Sequence, residues 1–169
     1  MEDIVKKFIK ELVPYVIIVL VVVLIRSFLV TPVIVSGDSM VPTLKDKELL
    51  LLNKINYRLN DIKRFDIVVI QLDNKEIIKR VIGLPGEEVL YRNNALYIDG
   101  HEIKSDYNFE TEDFSLKTIC NCQRIPDDKY LVLGDNRSVS ADSRIMGLID
   151  REDIQGSVEI SLWPIKRVK

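Results

Sequence analysis

The stretch that decides the fold is "FDIVVIQLDNKEIIKRVIGL", residues 65–84. Two runs rich in Val and Ile, 65–72 and 76–84, are separated by Asp-Asn-Lys, a combination typical of turns. β-Branched residues favour strands because their side chains pack well on a pleated surface. The pattern therefore predicts two antiparallel strands that are joined by a short turn.

Further short apolar runs of the same kind occur in the remainder of the chain. Short apolar runs predict further strands at 47–55, 88–100, 129–135 and 157–163, and Asn-Asn inside the second run predicts another hairpin turn. No long amphipathic helix and no internal repeat is found there. The predicted fold class is mostly β, with an antiparallel, barrel-like sheet. The polar stretch 101–128 is predicted to be a surface loop.

A long apolar run precedes the β region. Leu12–Val30 contains 19 residues with Arg26 as its only charge, and a membrane-spanning helix needs ~20 residues. A cleavable signal peptide is disfavoured, because its apolar core is typically only ~7–15 residues long. The sequence predicts a tail at 1–11, one transmembrane helix at 12–30 and a β-rich domain at 31–169.

Lysines before the apolar run predict its orientation in a bilayer. Lys6, Lys7 and Lys10 precede the run, whereas Arg26 alone lies near its far end. The positive-inside rule then places the N-terminus in the cytoplasm and residues 31–169 outside the cell membrane. The lipid bilayer is thus a predicted partner of a single-pass protein.

Composition excludes several other classes of function. The 24 basic and 26 acidic residues nearly balance, so the sequence gives no electrostatic case for nucleic acid as a partner. His101, Cys120 and Cys122 are too few to complete a zinc site, and no metal or cofactor is predicted. A disulfide across one residue would be strained, which favours two free thiols.

A polar, turn-forming stretch, "VSGDSMVPTL" at 35–44, directly follows the apolar run. Its serines are candidate nucleophiles, but the single histidine, His101, lies in an unrelated predicted turn. A serine paired with a lysine is the remaining arrangement. Lys79 shares its predicted strand face with Ile77 and Val81, and such burial lowers the pKa of a lysine. Alone, the pattern also fits an edge-strand lysine that discourages aggregation.

A third polar stretch, "GDNRSVSADSR" at 134–144, follows the predicted strand 129–135. By composition it fits a plain surface loop equally well. Together, however, "SGDSMVPTL" at 36–44, "KRVIGLPGE" at 79–87 and this stretch resemble the type I signal peptidase family, in the same order and after an N-terminal apolar segment. The resemblance extends over essentially the whole chain.

The resemblance implies a membrane-bound serine endopeptidase with a Ser–Lys dyad. Ser39 matches the nucleophile and Lys79 the general base of the family. Ser140 matches the serine that orients the lysine through a hydrogen bond. The backbone N–H of Ser39 is then expected to stabilise the oxyanion.

Four further residues carry supporting roles by the same resemblance. Asp142 and Arg144 match an ion pair that braces the loop, and Met40 matches a residue that shapes the site. Gly37 stands where some relatives have a serine that contributes to the oxyanion hole, so the second donor is not identified. Phe65 stands where many relatives have glycine.

The implied substrates are secretory preproteins, whose signal peptides are cleaved after small-x-small sites. Shallow pockets for the small residues are expected around Val33–Val35. Two other functions are considered. A soluble, self-cleaving repressor with a Ser–Lys dyad conflicts with the apolar segment, and a membrane-tethered domain without catalysis would normally lack Ser39 or Lys79.

Overall fold

The N-terminal segment is helical in the computed structural model, which describes residues 2–28, 30–54, 61–73, 75–107 and 109–168. Helix α1 extends over Glu2–Phe28, and its side chains from Leu12 to Val23 are exposed. Among the residues searched, which are those that the structure describes, no helix is long and apolar enough to cross a membrane. The predicted span is therefore not confirmed, and the side chain of Arg26 lies outside the described residues.

The described remainder is mostly β, as predicted. The strands are β1 Val30–Ile34, β2 Leu49–Asn53, β3 Ile67–Leu72, β4 Lys75–Gly83, β5 Val89–Arg92, β6 Ala95–Ile98, β7 His101–Ile103, β8 Phe114–Ser115, β9 Lys129–Leu133, β10 Ile149–Asp150, β11 Ile154–Trp163 and β12 Ile165–Arg167. Two short α-helices, α2 Leu116–Cys120 and α3 Ser143–Met146, and a 3-10 helix, Arg151–Asp153, complete the described elements.

The strands form two antiparallel sheets. The larger has the order β1-β2-β11-β3-β4-β9-β10, with β12 beside β11, and the smaller has the order β7-β6-β5-β8. Among the described strands, no pairing joins β1 to β10, so the predicted barrel-like closure is not confirmed. Strand β1 begins at Val30, which pairs with Asn53 of β2.

Both predicted hairpins are confirmed. Strands β3 and β4 pair from Ile67 opposite Arg80 to Leu72 opposite Lys75. Strands β5 and β6 are joined at Asn93 and Asn94, which both have positive φ, the conformation that a two-residue hairpin turn requires.

Strand β4 is the part of the fold that positions the site. It lies between β3 and β9 in the larger sheet, and its residues from Ile78 to Gly83 are buried on both faces. Three apolar clusters surround the sheets. Their fully enclosed members include Met40, Leu44, Leu50, Leu52, Ile70, Ile82, Leu116, Ile125, Leu131, Leu133 and Ile154. A lysine on β4 is therefore held away from water by the sheet itself.

The prediction for 101–128 was wrong in part. This stretch contains β7, β8 and α2, and its Leu116 and Ile125 belong to an apolar core cluster. Polar residues surround Leu116 and Ile125 in the sequence, so no apolar run indicated that these two side chains are buried.

The prediction of two free thiols was also wrong, since Cys120 and Cys122 form a disulfide. Asn121 between them has a left-handed conformation that turns the chain at the end of α2. The Cα atoms consequently lie 5.3 Å apart, within the usual range for disulfides.

Candidate active site

Ser39 and Lys79 meet at the end of β1. Ser39 lies in the turn after β1, and Lys79 lies in the middle of β4. Lys79 Nζ is 2.8 Å from Ser39 Oγ, a hydrogen-bond distance between residues 40 positions apart. The two residues that the sequence paired are therefore in direct contact.

The surroundings of Lys79 favour its neutral form. Only 3% of the residue is exposed. Burial lowers the pKa of Lys79 from its ordinary value, while the negative charges of Asp142 and Asp135 partly oppose that effect by raising it. A neutral amine within hydrogen-bond distance of a hydroxyl can accept its proton, which is the geometry that a general base requires.

The turn that carries Ser39 is fixed on both sides. Gly37 has φ +85°, a conformation that glycine adopts readily, and its N–H donates to Asp46 Oδ1 at 2.9 Å. Asn136 N–H donates to the carbonyl of Ser39 at 3.0 Å, and Met40 is buried in the core at 1% exposure. The N–H of Gly37 is thus engaged, whereas Ser39 N–H makes no hydrogen bond within the described residues.

Ser140 lies close to the dyad, but the hydrogen bond that the resemblance implies is not formed. Its Oγ is buried and has no hydrogen-bond partner in the part of the chain that the structure describes. A Cβ at Gly134 would collide with the Ser140 side chain and with the carbonyl oxygen of Ser39, so this glycine permits the close approach of the two serines.

Asp142 and Arg144 form a two-pronged ion pair. Arg144 Nε and Nη2 each donate to one carboxylate oxygen of Asp142 at 2.9 Å. Asp142 Oδ2 also accepts from Gly134 N–H at 3.0 Å, and Arg144 Nη2 donates to the carbonyl of Arg137 at 2.6 Å. These contacts tie the 134–144 loop to itself beside the dyad.

A second ion pair was missed by sequence reasoning. Arg80 and Asp135 pair with no exposed side-chain surface, through Nε to Oδ1 at 2.9 Å and Nη2 to Oδ2 at 2.7 Å. Thr43 Oγ1 donates to the same carboxylate at 2.5 Å. The position of Arg80 inside the apolar run of β4 indicated that this charge needs a buried partner. No local sequence pattern identifies that partner, because Asp135 is 55 positions away.

The conformation of Phe65 accounts for the glycine that many relatives have there. Phe65 has φ +71°, where a side chain is strained. Its carbonyl accepts from Arg80 Nη1 at 2.9 Å, and its ring lies 5.3 Å from that of Tyr107. Packing therefore offsets a backbone conformation that suits glycine better.

A small cavity of about 70 Å³ opens beside the dyad. Its lining is mixed: Val33, Val35 and Ile78 are apolar, whereas Glu76 and the dyad itself are polar. A cavity of this size fits a side chain no larger than a few atoms. It agrees with the pockets predicted around Val33–Val35.

Other chemistry finds little support in the arrangement. His101 is exposed in β7, and its ring contacts the nearby carbonyl of Asp99. Within the described residues, no three His, Cys, Asp or Glu side chains are placed to hold a metal ion. The Ser39–Lys79 contact is suited to acyl transfer by a nucleophilic hydroxyl.

Comparison with known proteins gives a consistent result. The family described as "Signal peptidase, peptidase S26" matches residues 6–163. Signal peptidase I of Bacillus caldolyticus is 38% identical over 165 residues, which cover 91% of each chain. Signal peptidase IB of Staphylococcus aureus strain Mu50 is 39% identical over 161 residues, 86% of this chain and 84% of the relative. A crystal structure of a signal peptidase I from Enterococcus faecalis V583 aligns with a TM-score of 0.54 and 36% identity, over 58% of this chain and 97% of that one.

Proposed function

Since the chain belongs to the peptidase S26 family of signal peptidases, which are serine endopeptidases, we propose that it cleaves signal peptides from secretory preproteins with Ser39 as nucleophile and Lys79 as general base. The observation that carries the proposal is the 2.8 Å contact between Lys79 Nζ and Ser39 Oγ. The burial of that lysine supports it further.

The first half of the reaction forms an acyl-enzyme. Neutral Lys79 takes the proton of Ser39 Oγ as the oxygen attacks the carbonyl carbon of the scissile bond. The carbonyl oxygen becomes an oxyanion, for which the N–H of Ser39, unbonded among the described residues, is a backbone donor. Protonated Lys79 then gives its proton to the leaving amine, and the new N-terminus of the mature protein departs.

The second half releases the signal peptide. Lys79, neutral again, takes a proton from water, and the resulting hydroxide attacks the Ser39 ester. Breakdown of the second tetrahedral intermediate returns the proton from Lys79 to Ser39 Oγ. The Asp142–Arg144 pair is proposed to hold the loop in place beside the dyad, because Asp142 accepts from Gly134 N–H and Arg144 donates to the carbonyl of Arg137. Ser140 is proposed to fill the space beside Gly134 and the carbonyl of Ser39.

Substrate selection is proposed to depend on the cavity beside the dyad. Its volume of about 70 Å³, with Val33, Val35 and Ile78 among its lining residues, suits a small residue before the scissile bond. A larger side chain would have to displace buried residues, which is costly in a close-packed interior.

Attachment to the cell membrane is part of the proposal. The apolar residues of α1 from Leu12 to Val23 are exposed, and burying them in lipid removes them from water. The lysines before this segment favour a cytoplasmic N-terminus and an extracytoplasmic dyad. A preprotein held in the same bilayer would then meet Ser39 at a raised effective concentration.

The test uses purified full-length protein in neutral detergent and a preprotein with an Ala-x-Ala site. We expect one cut, and sequencing of the product should place the new N-terminus directly after the second alanine. The same preprotein with Leu in place of that alanine is the matched control and should remain intact. An uncut Ala-x-Ala preprotein, or equal cleavage of both, would overturn the proposal.

A further inference from the structure

A second and much larger groove begins immediately after the nucleophile. Its volume is about 890 Å³, and it is lined on one side by Val41 and Pro42, which follow Ser39 and Met40 in the chain. Ser140, whose side chain lies against the carbonyl of Ser39 across Gly134, lines it as well. The groove therefore adjoins the nucleophile, although it shares no lining residue with the small cavity around Val33–Val35.

These positions give the groove a place along an extended substrate. If the residue before the scissile bond occupies the small cavity, a peptide that passes Ser39 must continue away from that cavity. The groove lined by Val41 and Pro42 lies at this exit. This step rests on the proposed function, because it requires Ser39 to be the point of cleavage.

Unsatisfied polar groups in the groove indicate that it receives a ligand. Arg137 is only 6% exposed, and its Nη2 has no hydrogen-bond partner within the described part of the chain. Its other nitrogens are used, since Nε donates to Gly134 O at 2.9 Å and Nη1 donates to Thr111 Oγ1. A buried donor without an acceptor is costly, and a peptide backbone supplies a carbonyl at every residue.

Charge and shape in the groove favour a basic side chain. Glu110 and Glu112 are exposed on its rim, and neither forms an ion pair among the described residues. Beside them stand the apolar surfaces of Phe109 and Ile145. The aliphatic stem of a lysine or arginine can lie on such a surface while its charge reaches the carboxylates.

We propose that this groove binds the substrate segment that follows the scissile bond, and that Glu110 and Glu112 select a basic residue among the first few positions of the mature protein. Arg137 adds one positive charge to the groove lining, and the two rim carboxylates outnumber it. Asp135 is paired with Arg80, and Arg144 with Asp142. Arg137 is buried beneath the rim, and a small shift of its side chain would bring Nη2 within reach of a carbonyl of the peptide backbone.

The test compares three peptides with the same signal sequence and Ala-x-Ala site. They differ only at the second to fourth residues after the scissile bond, which are all Lys, all Ala or all Glu. Neutral detergent prevents the micelle from attracting either charge. We expect kcat/KM to be about three- to tenfold higher for the Lys than for the Glu peptide, mainly through KM, because exposed ion pairs contribute modestly. The difference should shrink in 1 M NaCl.

Substitutions in the protein test whether the groove causes the difference in kcat/KM between the Lys and Glu peptides. Glu110→Gln combined with Glu112→Gln should reduce the Lys-to-Glu ratio to less than about twofold. Glu102→Gln is the matched control, because Glu102 is exposed on β7 and does not line the groove, and it should keep the ratio. Equal rates for the Lys and Glu peptides, a preference for Glu, or an unchanged ratio in the double variant would overturn the inference. Cleavage of the Ala peptide in those cases would leave the proposed function standing, whereas no cleavage of any peptide would refute both.

Discussion

The substitution Asp135→Asn examines the buried ion pair next to the dyad. It removes the carboxylate that pairs with the buried guanidinium of Arg80, and removing one partner of a buried pair typically costs about 3–5 kcal/mol. Arg80 would keep its hydrogen bond to the carbonyl of Phe65 and its position 3.9 Å above the ring of Tyr107. We therefore expect the lower end of that range, about 3 kcal/mol.

Thermal unfolding of the full-length protein in neutral detergent measures this cost. For a chain of this size, about 3 kcal/mol corresponds to a fall in Tm of about 6–12 °C. The matched control is Asp99→Asn, which removes the carboxylate of an exposed pair with Arg124. That variant should leave Tm nearly unchanged. If Asp135→Asn lowers Tm no more than Asp99→Asn does, the buried pair does not stabilise the site as argued.

The same variant also has an expected effect on the pH dependence of catalysis. The negative charge of Asp135 raises the pKa of Lys79 against the larger, opposite effect of burial. Without that charge the pKa of Lys79 should fall further, and the rise of kcat/KM with pH should move to lower pH. A shift to higher pH would contradict this electrostatic reasoning.

Three other substitutions give independent checks. Lys79→Met should raise stability relative to the unmodified protein more at neutral than at alkaline pH, because burial lowers the pKa of Lys79 and unfolding lets the amine regain its proton. The difference in unfolding free energy between Lys79→Met and the unmodified protein should narrow toward pH ~10, near the ordinary pKa of lysine. A difference that stays constant with pH would refute the argument. Phe65→Gly should be more stable than Phe65→Ala by about 1 kcal/mol in urea unfolding, since φ is +71°; the reverse order would show that the backbone is not strained. Gly134→Ala should reduce kcat about 100-fold with unchanged circular dichroism, because the new methyl group displaces Ser140 or Ser39; full activity would mean that their close approach is unnecessary.

Local patterns in the sequence predicted the features that depend on neighbouring residues. The two Val- and Ile-rich runs on either side of Asp-Asn-Lys became β3 and β4, and Asn93–Asn94 became a hairpin turn. Lys79 was placed among apolar neighbours by strand alternation alone, and it is buried. Its contact with Ser39 came from matching motifs to a family, since no local pattern relates residues 40 positions apart.

Features that depend on distant packing were not predicted. The Arg80–Asp135 pair joins β4 to the loop after β9, and these two segments are adjacent only in the folded sheet. The positive φ of Phe65 is maintained by contacts with Arg80 and Tyr107, so the residue type gave no indication of it. The Cys120–Cys122 disulfide depends on the left-handed conformation of a single residue at the end of α2.

The measurement that tests the central proposal most directly is kcat/KM for preprotein cleavage by Lys79→Arg beside Lys75→Arg. Both residues lie on β4, but Lys75 is exposed and Lys79 is in contact with Ser39. A guanidinium stays protonated at any usable pH, so Lys79→Arg cannot accept the serine proton. We expect Lys79→Arg to be inactive from pH 6 to 10, like Ser39→Ala, while Lys75→Arg and His101→Ala retain full activity. Cleavage by Lys79→Arg at a rate near that of Lys75→Arg would contradict the Ser39–Lys79 mechanism.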